Sequence, residues 1–161
     1  MKKIKIITFT IQDRYFALPT SEVKEVIDSS ESMKTVFYNR GGALRGLMSY
    51  ESNMISVLDG GFLLDIGNGN GRAFSGDKLL LVCKDYDMEN PIAMTITATI
   101  GMEMVDPSEL KHSQDADAGY SKGFIREGRG DSERVITVLD LKKFLEHADD
   151  RIRRFELEAH N

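Results

Sequence analysis

The chain has 161 residues, a net charge of −5 at neutral pH and a single cysteine. A domain of this length buries about two-thirds of its unfolded surface and needs no staple, and one cysteine excludes both an internal disulfide and an all-cysteine zinc site. The acidic balance opposes nucleic-acid binding, and no apolar run approaches the roughly 20 residues of a membrane span.

The first residues, Met1-Lys2-Lys3, have the basic start of a signal peptide, but Lys5 and polar residues interrupt the apolar part and no small-x-small site follows. Residues 4–11 therefore read as a first strand, with Ile7, Phe9 and Ile11 on one face, and the chain is expected to be cytoplasmic with a reduced thiol. Gln12-Asp13-Arg14 is a hairpin signal, and residues 15–18 form the returning strand. Pro19-Thr20-Ser21-Glu22 predicts the entry of a short helix, capped by Thr20 or Ser21, because Val23, Val26 and Ile27 recur at helical spacing. Further strands are expected over residues 33–38, 44–50 and 54–58, with a loop at 39–42 and a turn at Glu51-Ser52-Asn53. Asp59-Gly60-Gly61 ends the last of these, and a Gly/Asn-rich loop runs from residue 66 to 76. Residues 78–83 and 91–96 read as a strand pair around an acidic turn at 85–90. Residues 97–104 fit strand or helix, and residues 105–120 read as polar loop.

Residues 121–126 and 133–139 predict a last hairpin. A terminal helix follows, with Asp140 as its cap and Leu141, Phe144, Leu145, Ala148, Ile152 and Phe155 in one stripe. The stripe suits packing on the body of the protein, with a partner helix as the alternative. About nine short strands, split into two groups by the Gly/Asn-rich loop, point to a barrel or sandwich.

The sequence carries no chemical signature. Gly67-Asn68-Gly69-Asn70-Gly71 precedes a strand and has no Lys-Ser/Thr pair, unlike a phosphate-binding loop. Asp85-x-Asp87-x-Glu89 has Asn90 and Ile96 where a calcium loop needs glycine and a bidentate glutamate, and Asp115-Ala116-Asp117 fails in the same way. His112, His147 and His160 are scattered, so no metal site is expected. Cys83 ends the apolar run Leu79-Leu80-Leu81-Val82, which predicts a buried thiol of raised pKa and no nucleophile. No catalytic residue and no cofactor is expected.

The order of segments resembles the CheW-like domain family. The resemblance rests on Phe9-Thr10-Ile11, Tyr15-Phe16-Ala17-Leu18-Pro19 and Val23-Lys24-Glu25-Val26-Ile27, then Leu44-Arg45-Gly46 and Met54-Ile55-Ser56-Val57-Leu58-Asp59. It continues through residues 79–82, Ala93-Met94-Thr95-Ile96, Gly123-Phe124-Ile125 and residues 135–141, and ends at Phe144-Leu145. The implied fold is mainly β: two intertwined five-stranded β-barrels of the SH3-like kind, a short helix near the N-terminus and a C-terminal α-helix. Residues 1–146 would form one domain of two β-subdomains, and residues 147–161 would extend the last helix. The implied function is a non-catalytic adaptor coupling chemoreceptor tips to the regulatory domain of a CheA-type histidine kinase. Carried onto this sequence, the receptor-binding groove would involve Glu25, Gly46, Ser49, Tyr50, Glu51 and Ser52, and the kinase-binding patch Thr20 and Val23.

The sequence departs from the family pattern at several points. Ser49-Tyr50-Glu51-Ser52 occupies the place of an Asn-Leu-Arg-Gly stretch, so Glu51 stands where the family has arginine. Ser56 replaces a usual proline, Gly60-Gly61 a usual Leu-Arg, and Thr97 a common aspartate. A carboxylate only accepts hydrogen bonds where an arginine only donates them, so the usual receptor contact is reversed in polarity. The alternative function is therefore a CheW-fold interaction module without standard receptor binding, which pairs with the kinase, with another CheW-like domain or with itself.

Overall fold

A computed structural model describes residues 2–28, 35–37, 44–64, 79–84, 91–112 and 119–159, with the side chains of residues 35–37, 44 and 151–159 outside that description. The predicted loop at 39–42, the Gly/Asn-rich loop and the acidic turns at 85–90 and 115–117 lie outside the described residues.

The chain builds one sheet, passes to a second, and returns to complete the first. β1 (Ile4–Ile11) and β2 (Arg14–Pro19) form a hairpin whose turn holds Gln12 at φ 57°. A 3-10 turn over Thr20–Glu22 then carries the chain into β3 (Val23–Asp28), β4 (Thr35–Phe37), β5 (Leu44–Tyr50) and β6 (Asn53–Leu58). A one-turn helix α1 (Gly60–Leu63) precedes β7 (Leu79–Cys83) and β8 (Ile92–Ile96). The return strand β9 (Ala98–Val105) leads to β10 (Ser121–Glu127), β11 (Arg134–Leu139) and the helix α2 (Leu141–Ala159). Sheet A has the order β10-β11-β2-β1-β9, and sheet B the order β3-β7-β8-β6-β5-β4. Each contains one parallel pairing among antiparallel ones, β11 with β2 and β6 with β8.

The expected mainly β, two-subdomain fold is present, with the second sheet carrying six strands among the described residues. The ambiguous stretch at 97–104 is strand β9 from Ala98 onward. The predicted N-terminal helix is corrected. Helical structure there is confined to the 3-10 turn, no side chain caps it, and Val23–Asp28 is a strand paired antiparallel with β7. A bulge explains the misleading spacing. The register slips between Val23 and Glu25, so Val23 and Val26 reach the same cluster although three residues apart, while Ile27 faces the opposite core. One extra residue in a strand thus reproduces the i, i+3 interval of a helix.

Three apolar clusters organise the packing. Ile6, Ala17, Val105, Ile125, Ile136 and Val138 fill sheet A's barrel, and Met48, Tyr50, Ile55, Val57, Leu80, Val82 and Ala93 fill sheet B's. The largest cluster is the seam between them, where Ile7, Phe9, Ile11 and Leu18 of sheet A meet Leu58, Leu81, Met94 and Ile96 of sheet B under α1 and α2. The run Leu79–Cys83 is apolar throughout because alternate residues enter the barrel and the seam, burying both faces of the strand.

Thr97 marks the return crossing. Its hydroxyl accepts a hydrogen bond from the Gln12 amide (2.7 Å), and its own amide donates to the Thr10 carbonyl (2.8 Å). Asp140 caps α2 as expected, accepting from the Lys143 amide at 3.1 Å. Leu141, Phe144 and Ala148 bury the first half of the helix stripe in the seam, and His147 Nε2 lies 2.9 Å from the Leu63 carbonyl oxygen. Ile152 and Phe155 lie on the same helix, with side chains outside the described residues.

Candidate functional site

The β5–β6 hairpin turns through Glu51 and Ser52, between the paired residues Tyr50 and Asn53. Both turn residues are left-handed, at φ 48° and 70°. A two-residue turn of this hand matches the twist of the flanking strands, but it ordinarily uses asparagine or glycine. The geometry pushes both side chains outward, and Glu51 is 66% exposed.

Sheet curvature brings this hairpin to β3. In a flat sheet β3 and β5, four strand spacings apart, would be separated by roughly 19 Å. Instead the Tyr50 hydroxyl donates a hydrogen bond to the Glu25 carboxylate, and Lys24 Nζ approaches Glu51 Oε2 at 3.9 Å. Tyr50 is buried in the barrel, and its pKa is pushed up to about 12 by desolvation first, then by Glu25 and Glu51. The hydroxyl thus stays protonated as a donor, and Glu25 is held at the mouth of the barrel with its remaining acceptor sites toward solvent.

Glu25, Tyr50, Glu51 and Ser52 therefore form one locus. Ser49 occupies the strand position before Tyr50, half-buried and directly opposite Met54 on β6. Gly46 is not part of the locus. It is buried four residues earlier on β5, roughly 13 Å along the strand, at a bulge opposite Val57 and Phe37. Thr20 sits in the 3-10 turn, half-exposed. Val23 starts β3 and lays part of its side chain into the seam, so it serves packing as well as any surface. Met54, 53% exposed beside the hairpin, was not singled out by the sequence, where strand alternation alone could have flagged it.

The neighbouring ion pair is structural. Asp59 is 2% exposed, accepts from the Phe62 amide at 3.0 Å to cap α1, and pairs with Arg45 at 3.3 Å. The Gly60 amide donates to Thr95 Oγ1 at 3.0 Å. A side chain on Gly60 would collide with the Thr95 carbonyl oxygen, which accounts for the glycine there.

A second carboxylate locus closes the other barrel. β9 and β10 are the two edges of sheet A, yet Glu103 and Glu127 share a hydrogen bond. Glu103 is pushed up to about 7, chiefly by that bond, so it carries the shared proton. Glu127 is lowered, chiefly by the same bond and then by Arg134, whose Nη2 lies 2.9 Å away. Arg134 also stands over the Tyr15 ring, 5.1 Å from its centroid.

Cys83 is buried, and desolvation, with Glu22 second, pushes its thiol up to about 12, which keeps it protonated and inert. Among the described residues no three His, Cys, Asp or Glu side chains are grouped to hold a metal ion, and no helix is long and apolar enough to cross a membrane. What the site presents is a polar, solvent-facing edge around one buried tyrosine.

No curated protein sequence matches the chain. Among solved structures, the scaffolding protein TtCheW from Thermoanaerobacter tengcongensis superposes with a TM-score of 0.69 at 17% identity, over 90% of this chain and 94% of that one. At that identity the likeness speaks for the fold. The family comparison reaches further, since the CheW-like domain model matches residues 5–149. The chain therefore belongs to the CheW-like domain family, a family of chemotaxis coupling scaffolds.

Proposed function

We propose that the protein is a non-catalytic adaptor that couples chemoreceptor tips to a CheA-type histidine kinase through protein–protein contacts. Family membership over nearly the whole chain is the observation that carries this reading. The receptor tip docks on the β3 and β5–β6 locus, at Glu25, Ser49, Tyr50, Glu51 and Ser52, with Gly46 supporting β5 from within. The kinase regulatory domain docks at Thr20 and the exposed part of Val23. The adaptor works in the cytoplasm, where receptor tips and kinase lie.

Glu51 defines how this adaptor differs from the family pattern. With Glu25 nearby and Lys24 the nearest cation among the described residues, the hairpin offers hydrogen-bond acceptors. A receptor tip carrying lysine or arginine at the facing position suits it, and one carrying carboxylates is repelled. Glu51→Arg should therefore strengthen binding to a tip peptide of the usual acceptor type and weaken binding to a basic one. Equal affinities before and after the change would remove Glu51 from the interface.

A second reading, an interaction module that bypasses receptors, is favoured by the same charge reversal. Calorimetric titration with a CheA regulatory domain and, separately, with a receptor-tip fragment distinguishes the two. Saturable binding of both supports the adaptor, binding of the kinase domain alone supports the module, and binding of neither by the folded chain refutes both.

A further inference from the structure

Strands β9 and β10 are the two edges of sheet A, and among the described residues no backbone ladder joins them. Side chains close the barrel there. β10 and β11 run on as a hairpin beyond the β11–β2 ladder, which covers only Ile136, Thr137 and Val138. From Arg126 to Val135 every residue of this tip is exposed except Glu127 and Arg134. Those two reach back to the barrel. Glu127 shares a hydrogen bond with Glu103 of β9, and Arg134 stands over the Tyr15 ring of β2, 5.1 Å from its centroid. Between the tip and Tyr15 lies an open cleft of about 480 Å³, lined also by Gly128 and residues 131–133, so close packing does not hold the tip down.

We propose that the tip of the β10–β11 hairpin is a flap latched to sheet A's barrel by one proton shared between Glu103 and Glu127, and that loss of this proton lets the flap lift from the barrel mouth. Geometry sets the sign. Two carboxyl groups in hydrogen-bond contact need a proton between them, because two carboxylates at that distance repel. Arg134 does not neutralise both, since its Nε and Nη2 point at one oxygen of Glu127, at 3.2 and 2.9 Å. Glu109, in the 3-10 turn Pro107–Glu109 after β9, adds to the repulsion, and the partner of Glu103 on β1 is the apolar Ile6. With the proton in place Glu103, Glu127 and Arg134 are neutral together. Without it one negative charge is left over, facing Glu109. Glu103 is pushed up to about 7, chiefly by its bond to Glu127, so release falls near neutral pH.

The barrel interior behind the latch is polar. Thr8 lies on the inward face of β1, two residues after Ile6, and is 3% exposed. Its hydroxyl has no hydrogen-bond partner among the described residues. It pairs with Gly101 of β9, where a Cβ would meet nothing within 4 Å, so no side chain from that position shields it. Lifting the flap opens the mouth toward Thr8. Cys83, by contrast, is buried in the seam and is reached only when the whole domain opens.

Thiol labelling of a full-length Thr8→Cys chain tests the latch, with Cys83 as the internal control and each rate normalised to the same reagent on the urea-unfolded chain at the same pH. The thiol introduced at position 8 should be labelled roughly fivefold faster at pH 8 than at pH 5.5, with no matching change at Cys83. Adding Glu103→Gln should abolish the acceleration, because a neutral amide donates to Glu127 at either pH. Equal rates at the two pH values overturn the proposal. So does an acceleration that Cys83 shares, and so does one that survives Glu103→Gln. In the wild-type chain, which needs no substitution, the Glu103 carboxyl carbon signal should titrate near pH 7; titration in the ordinary glutamate range also overturns it.

Discussion

Replacing Gly60 by alanine tests how the seam between the two barrels is held. A Cβ at Gly60 would lie 2.9 Å from Ile11 Cδ1 and 3.1 Å from Met94 Cγ, and it would collide with the Thr95 carbonyl oxygen. The two side chains can rotate away. The carbonyl cannot, because Thr95 belongs to β8, which pairs with β7 on one side and β6 on the other. Relief requires α1 to retreat by roughly 1 Å, which stretches the 3.0 Å bond from the Gly60 amide to Thr95 Oγ1 and loosens Leu63 and Leu64 in the seam. Overpacking of this kind costs about 1–3 kcal/mol, and the helix preference for alanine returns less than about 1 kcal/mol. A net loss of about 1 kcal/mol lowers the melting temperature of a domain this size by roughly 2–4 °C. Thermal and urea unfolding followed by circular dichroism measure it, with Gly101→Ala, which faces open space, as a control expected within about 0.5 kcal/mol of wild type. A Gly60→Ala protein melting within 1 °C of wild type would refute the packing argument.

Ser52→Gly should stabilise by about 0.5–1 kcal/mol, because φ 70° strains a side chain there; a lower melting temperature would show that the turn is not left-handed in solution. The Glu103–Glu127 pair gives a pH signature. Glu103 is raised to about 7, so its contribution is present below the unfolded glutamate pKa and is lost as pH rises through 7; Glu127 is lowered, so its contribution is lost as pH falls through the acid range. Stability attributable to the pair peaks at mildly acidic pH, and after allowance for solvent screening its decline between pH 5.5 and 8 is about 1 kcal/mol. Glu103→Gln should flatten that decline, and an unchanged slope in urea titrations at the two pH values would dissociate the pair from it. Asp140→Ala should cost about 1 kcal/mol through the lost cap on α2, read in the same unfolding assay.

Local chemistry was legible where one strand or turn decided it. The β1–β2 and β10–β11 hairpins, the doubly buried run at residues 79–83 and the Asp140 cap all follow from neighbours in sequence. The β3 bulge was not legible, because Val23, Val26 and Ile27 satisfy helical spacing for a different geometrical reason. β9 escaped assignment because methionines at alternate positions normally mark a buried face, and here they mark an open one. The Glu25–Tyr50 and Glu103–Glu127 contacts each join strands four positions apart in a sheet, and only curvature brings them together. The resemblance of the segment order named the residues of the β3 and β5–β6 locus, but it also included Gly46, whose buried place at a bulge follows from register.

The proposed coupling of receptors to a kinase calls first for sedimentation of receptor-bearing membranes with a CheA-type kinase, with and without this chain. The kinase should pellet with the membranes only when the chain is present, and Glu51→Arg should change the amount recovered. Kinase recovery that is the same with and without the folded chain would contradict it.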